Sequence, residues 1–388
     1  MAGLLAHSRV LALTCVVWAA PHLVAPSHAQ TPICATATAS ISVDFPTGGR
    51  HGCRIEDERN ITLTVPPEGR PINSSPWYAF RIDASARTRL NVTLDYDYTE
   101  HRYPPHFTRD GVTWRPIAPS DVLIDDANHR ATLRLHLAPG TTFIAGQPIL
   151  TTGAMHDWVR TQVAGEGFET IEYGRSIDGA PLVAYAGGDG PELVVAITRQ
   201  HPPETTGAAA FRAFVARIMS DNEQARAFRA SHRILLFPAP NPDGVARGHW
   251  RWNNGGLDLN RDWQRLTQPE TQGMTSLILR EAENRATVAF LDFHSTGRNV
   301  IYAPPLDSPS PTISFLPFLR QQLDAGMRTP PAWSYNHTPE TGNSKGWALE
   351  TLAAPGITVE LDDIANAETT QRVGEIVADA LMQYQAAN

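Results

Sequence analysis

Lysine is almost missing: of 32 basic residues only Lys345 is a lysine, and arginine supplies the rest. Like charges gather into no run, and the formal net charge is -8 over 388 residues. A nucleic-acid binder would usually carry a basic patch, so that class is disfavoured. Cysteine is scarce too, at three. So few thiols cannot build a structural zinc site alone, which generally wants four ligands. No apolar run reaches the roughly 20 residues that a transmembrane helix needs. What remains, 42% hydrophobic and 19% charged residues, describes an ordinary globular chain, long enough for about two domains.

The first 29 residues read as an export signal rather than as fold. Arg9 precedes an apolar stretch from Val10 to Ala20, and Ser27-His28-Ala29 offers the small residues that a signal peptidase reads. Pro21 and Pro26 argue against a buried N-terminal helix. Removal of this segment takes Cys15 with it. Cys34 and Cys53 are then an even pair in an oxidising compartment, expected to form a disulfide in a periplasmic or secreted protein. Asn60, Asn73 and Asn91 stand in N-x-[ST] triplets.

The remaining chain changes texture once. Residues 30–153 hold short alternating segments such as Ile61–Val65, Trp77–Ile82, Leu90–Leu94 and Ala131–Leu137, punctuated by Pro66-Pro67, Gly111 and Pro139-Gly140. This predicts an antiparallel β-sandwich. His101 and His106 read there as solvated loop residues. Residues 154–388 alternate strands with helices. Strands are expected at Leu193–Ile197, Ile234–Phe237, Val288–Phe293, Val300–Tyr302 and Ile357–Val359, with helices at 208–219, near 270–284 and from about 366. The class is α/β, a mostly parallel or mixed sheet flanked by helices, preceded by the sandwich.

Such sheets bind ligands outside the carboxyl ends of their strands. His201 and Glu204, in "HPPE", follow one strand; His294, in "FLDFHSTG", ends another; Glu360, in "ITVELDD", ends a third. Two histidines and a carboxylate with an open fourth position make a catalytic zinc set, with Glu360 beside it. Pro202 and Pro203 would restrict the turn so that both ligands are pre-aimed.

The stretch "NPDGVARGHWRWNNGGLDLNRDW", residues 241–263, with "HPPE", "FHS" and "VEL" in matching order, resembles the zinc carboxypeptidases (M14). "PWYAFRI" and "FTRDGVTWRPI" look like the N-terminal module of the cytosolic carboxypeptidase-like subfamily. The resemblance implies one zinc ion on His201, Glu204 and His294. Asp258 is then the carboxylate that orients a zinc histidine, and Arg251 the arginine that polarises the scissile carbonyl. Asn260 and Arg261 would hold the substrate's terminal carboxylate, and Glu360 would be the general base. The implied activity is hydrolysis of the C-terminal bond of peptides or proteins, without nucleic-acid partners.

The resemblance has gaps. The family's substrate-capping tyrosine has no clear counterpart, although Tyr335 lies in a plausible region. Lys345, in "NSKGWALETL", stands where the subfamily reads an acidic side chain, which would favour release of glutamate or aspartate; the alternative is a solvated surface lysine. Two other functions compete. One is a zinc amidohydrolase of N-acyl amino acids, against which the long "NPDG…DLNRDW" stretch and the preceding domain weigh. The other is a non-catalytic peptide-binding module, which a missing ligand or a missing Glu360 would have favoured.

Overall fold

The computed structural model describes residues 31–69 and 75–387. The export signal expected over residues 1–29 and the triplet at Asn73 lie outside the described residues.

The N-terminal part folds into two sheets sharing one core. Six strands form the first, in spatial order Cys34–Ala35, Ala39–Ser42, Ala79–Ala84, Gly140–Ala145, His106–Thr108 and Arg115–Pro116. Five form the second: Gly52–Asp57, Asn60–Val65, Thr88–Tyr96, Arg130–Leu137 and Val122–Asp125. Period-two alternation explains the core. Leu90, Val92 and Leu94 of one strand and Ala131, Leu133 and Leu135 of its neighbour are buried, and pack with Ile41, Phe80 and Ile82 of the first sheet. One pairing is parallel, Asn60–Val65 beside Thr88–Tyr96, because the chain visits the other sheet at Ala79–Ala84 between them. Asn91 donates to Asn60 Oδ1 across that pair at 2.8 Å, so two of the triplet asparagines engage each other. A Cys34–Cys53 disulfide, Cα–Cα 6.0 Å, ties the two sheets together. His101 and His106 are half-buried rather than solvated: His101 stacks on Tyr78 and bonds the Tyr96 hydroxyl at 2.8 Å, and His106 lies in a strand.

The C-terminal part is built on an eight-stranded mixed sheet. Its spatial order is Glu169–Arg175, Pro181–Gly187, His232–Phe237, Glu192–Thr198, Ala286–Thr296, Gly356–Asp362, Val300–Ala303 and Ala332–Tyr335. The four central strands are parallel. Covered on both faces, they read as unbroken apolar runs, and Leu193–Ile197 and Ile234–Phe237 are wholly buried. Helices Thr152–Val163, Thr205–Ile218, Phe315–Gly326 and Ala367–Ala387 share one face's core; Pro269–Ala282 and Ser344–Leu352 share the other's. Parallel strands align their carboxyl ends, so the residues following Thr198, those ending Ala286–Thr296 and those ending Gly356–Asp362 meet on one edge.

Helix Thr205–Ile218 starts at that edge and is held close. Ser295 Oγ accepts from Gly207 N at 2.9 Å and from Thr206 Oγ1 at 2.7 Å. A Cβ on Gly207 would lie 2.3 Å from the His294 carbonyl oxygen, so only glycine permits the approach. Gly207→Ala should therefore destabilise the protein. Alanine would ordinarily gain about 1 kcal/mol over glycine in a helix, but overpacking costs about 1–3 kcal/mol. Urea denaturation checks this, and an increase in stability would contradict the packing argument.

Candidate active site

Strand Glu192–Thr198 ends at Arg199, whose left-handed φ of 62° breaks the extended backbone. Its buried guanidinium donates to the Leu150 carbonyl at 2.9 Å and holds the turn. Pro202 and Pro203 follow, with fixed φ, and Glu204 lies at the N-cap position of the next helix. This delivers His201 and Glu204 into one buried spot. Glu204 Oε1 lies 2.7 Å from His201 Nδ1, and Oε2 lies 2.7 Å from His294 Nδ1. The ring centroids are 4.8 Å apart. Potential ligand atoms of the three residues all fall within 4.8 Å of one another.

The outer nitrogens of both rings are also held by carboxylates. His201 Nε2 is 2.9 Å from Asp258 Oδ1, and His294 Nε2 is 2.9 Å from Asp292 Oδ2. Each ring is thereby turned so that Nδ1 faces the common point, the outer-shell support usual for metal-bound histidine. Sequence reasoning overlooked Asp292, although strand alternation places it on the face of His294 two residues on. Fully buried, it also accepts from Gln200 Nε2 at 2.6 Å and Ser344 Oγ at 2.5 Å. Gln200 Oε1 in turn accepts from Trp263 Nε1 at 2.9 Å.

Electrostatics fit a cation. Burial acts to raise the Glu204 carboxyl, yet the adjacent His201 and His294 hold it well below the usual carboxylate range. Burial likewise opposes ionisation of Asp258, and His201, Arg251 and Arg261 overcome it. Desolvation lowers both imidazoles, but the carboxylates win and raise them, His294 strongly through Asp292 and Glu204. The carboxylates thus favour protonated rings, a divalent ion binding there would displace those protons, and two nitrogens with one carboxylate are a zinc donor set.

Glu360 stands beside this cluster, paired in register with His294 on the neighbouring parallel strand. Its Oε2 is buried without a hydrogen-bond partner. Burial pushes its carboxyl up to about 7; His294 works against the shift and Glu204 with it. Arg251 donates through Nε to Asp258 Oδ2 at 2.6 Å, so one carboxylate fixes both a histidine and an arginine.

The other expected residues divide. Arg261 is exposed at the rim of a cleft of about 290 Å³ that also takes in His201, Glu204, Arg251, Lys345 and Glu360. Asn260 lines it as well; its Oδ1 accepts from Ser344 N at 2.9 Å, and Nδ2 lies 3.3 Å from His294 Nε2, which already faces Asp292. Lys345 is no surface lysine. It is 5% exposed, and Nζ donates to the Asn336 carbonyl and Oδ1 at 2.7 and 2.9 Å. Tyr335 stacks on Trp333, ring centroids 5.6 Å apart, and is not among the cleft residues, whereas Tyr302 is.

The profile of the zinc carboxypeptidase family matches residues 157–379. The chain belongs to that family. Cytosolic carboxypeptidase 2 of Xenopus tropicalis is 30% identical over 122 residues, 31% of this chain and 13% of that protein. Cytosolic carboxypeptidase 1 of Danio rerio is 34% identical over 104 residues, 26% of this chain and 9% of its own. The matches thus span only small parts of those relatives. A metallo-carboxypeptidase from Burkholderia cenocepacia shares the fold at TM-score 0.76 and 16% identity, over 90% of this chain and all of that one. One from Pseudomonas aeruginosa, solved with (2-guanidinoethylmercapto)succinic acid, does so at 0.74 and 20%, over 89% and 99%. Both likenesses reach well beyond the family match, into the β-rich N-terminal part.

In this family member, Asp292→Asn should weaken zinc binding by about 10–100-fold, the usual cost of losing an outer-shell partner. Competition with a chelator measures it. Unchanged affinity would show that Asp292 does not orient His294.

Proposed function

We propose that this chain is a zinc-dependent carboxypeptidase that removes the C-terminal residue of peptides or proteins, with a preference for acidic residues, in an exported setting. Its strongest support is one cleft that takes in His201 and Glu204 of the metal-binding group, Glu360 with its partnerless buried oxygen, and the basic side chains of Arg251, Arg261 and Lys345.

His201, Glu204 and His294 would hold the metal, which supplies Lewis acidity when bound. Arg261, exposed with a planar fork, receives the terminal carboxylate of the substrate. Asn260 contributes through Nδ2, since its Oδ1 already accepts from Ser344 N. Arg251, anchored through Nε, turns the rest of its guanidinium towards the scissile carbonyl and stabilises the developing oxyanion. Glu360 accepts the proton of the attacking water and passes it to the departing amine.

Acidic preference rests on Lys345. Two of its three N–H groups bond to Asn336, and no carboxylate pairs with it among the described residues. A buried ammonium without a counter-charge is costly, and a glutamate or aspartate side chain of the substrate would supply one. Export rests on the residue pattern before Ala29 and on the Cys34–Cys53 disulfide, a bond that persists in oxidising compartments.

Glu360→Gln should retain zinc and fold but lose about 10²–10⁴-fold in turnover. Parental hydrolysis by that variant would remove Glu360 from the mechanism. Burial lowers the Lys345 ammonium to about 8. Because kcat/KM reports ionisations of the free enzyme, the advantage of a glutamate-terminated peptide over an alanine-terminated one should shrink as pH rises through about 8. It should vanish in Lys345→Met. A ratio that does not change with pH and survives the substitution would exclude Lys345 as the reader.

A further inference from the structure

The oxyanion arginine sits on a segment that the second domain does not hold by itself. Residues 249–252 leave the short helix Pro242–Ala246 and run along the boundary with the sandwich. Across that boundary stands Glu68, 7% exposed. Its carboxylate accepts from three consecutive backbone amides: Trp250 N at 3.0 Å, Arg251 N at 3.0 Å and Trp252 N at 3.1 Å. His249 Nδ1 approaches the same carboxylate at 3.7 Å. Three successive N–H groups pointing one way make a concave anion-binding nest. Here a side chain 183 residues distant fills it.

Packing repeats the contact. A Cβ on residue 69 would lie 1.9 Å from the Trp252 ring, so Gly69 lets the indole lie directly on the backbone beside Glu68. Trp250 Nε1 donates to the Tyr103 hydroxyl at 2.9 Å, a second tie from the sandwich on the other side of Arg251. Arg251 itself has one further fixed point, the Nε bond to Asp258. The neighbouring backbone has further ties, the Trp252 carbonyl accepting from Asn241 Nδ2 at 3.2 Å and Trp252 bridging to Asp258, but the amide of Arg251 itself bonds to Glu68.

We propose that Glu68 is a positioning residue for the reaction: the sandwich domain, through this carboxylate, fixes the backbone of Arg251 and so aims its guanidinium at the scissile carbonyl. Glu68 touches no substrate. Its effect passes through the loop, and misplacing a catalytic group by about 1 Å can cost on the order of 10²-fold in rate. Removing it should lower kcat far more than it changes KM, because the arginine's contact strengthens as the oxyanion forms.

The test uses the full chain loaded with zinc and has two arms. In the first, hydrogen–deuterium exchange follows the amides of Trp250, Arg251 and Trp252. Glu68→Ala should exchange faster there while strand Glu192–Thr198 keeps its protection, and equal exchange overturns the proposal. In the second, which rests on the carboxypeptidase reading, Glu68→Ala should lose about 10–100-fold in kcat, with KM and zinc content near parental. The double variant Glu68→Ala/Arg251→Ala should be no slower than Arg251→Ala alone, since one residue acts through the other. Losses that multiply in the double variant, or a parental kcat in Glu68→Ala, overturn it. Glu68→Gln keeps shape and one acceptor oxygen, should fall between parent and Glu68→Ala in exchange and in kcat, and serves if the alanine variant does not fold. An inactive parent would instead sink the carboxypeptidase reading, and the exchange arm would still decide whether Glu68 holds the loop.

Discussion

Glu204 lies between two imidazoles, each backed by another carboxylate, the fully buried Asp292 and the partly buried Asp258, and this charged cluster constrains the rest of the molecule. Buried charges survive only when paired and hydrogen-bonded, and removing one partner of such a pair typically costs about 3–5 kcal/mol. Placing Glu204, Asp258 and Asp292 around His201 and His294 therefore demands backbone positions accurate to a fraction of an ångström. The parallel centre of the sheet supplies them by aligning strand ends. The left-handed Arg199, the paired prolines and the close approach at Gly207 bring a turn and a helix start to the same edge.

The sandwich is bound into this arrangement at several places. Glu68 holds the Arg251 loop. Arg102 pairs with Asp363 at 2.7 Å, and Gln147 Nε2 donates to the Asp363 carbonyl at 2.8 Å, so the segment just past Glu360 is gripped as well. Arg102 also lines the cleft. The N- and C-terminal parts thus share a boundary whose polar contacts lie beside the two side chains proposed to serve the oxyanion and the proton. On the proposed reading, the N-terminal part adds accuracy to the cleft without contributing a metal ligand.

What could be read beforehand follows from the range of the forces involved. His201, Glu204, His294 and Glu360 were legible because each directly follows or ends an apolar run of strand length, and the carboxyl-end rule then gathers them. Asp292 was equally available through strand alternation but looked like one acid among many in a sheet. The burial of Lys345 could not be read, since lysine is mostly a surface residue and only the Asn336 contacts reveal its setting. Glu68 was hidden for a stronger reason: its role depends on amides in another domain, and a carboxylate's local sequence says nothing of a distant nest. Helix Thr152–Val163 and the parallel pairing of Asn60–Val65 escaped for similar causes, one lacking a strong apolar stripe and the other set by the route of the chain between sheets.

The central claim is that one buried point receives Nδ1 of two histidines and a carboxylate, and that this point binds zinc. Anomalous diffraction from crystals of the zinc-loaded protein, recorded on both sides of the zinc absorption edge, tests it most directly. The account predicts a single strong anomalous peak among His201 Nδ1, His294 Nδ1 and the Glu204 carboxylate, within reach of Glu360. A peak elsewhere, or none at that point with either ring turned to present Nε2 instead, would contradict it.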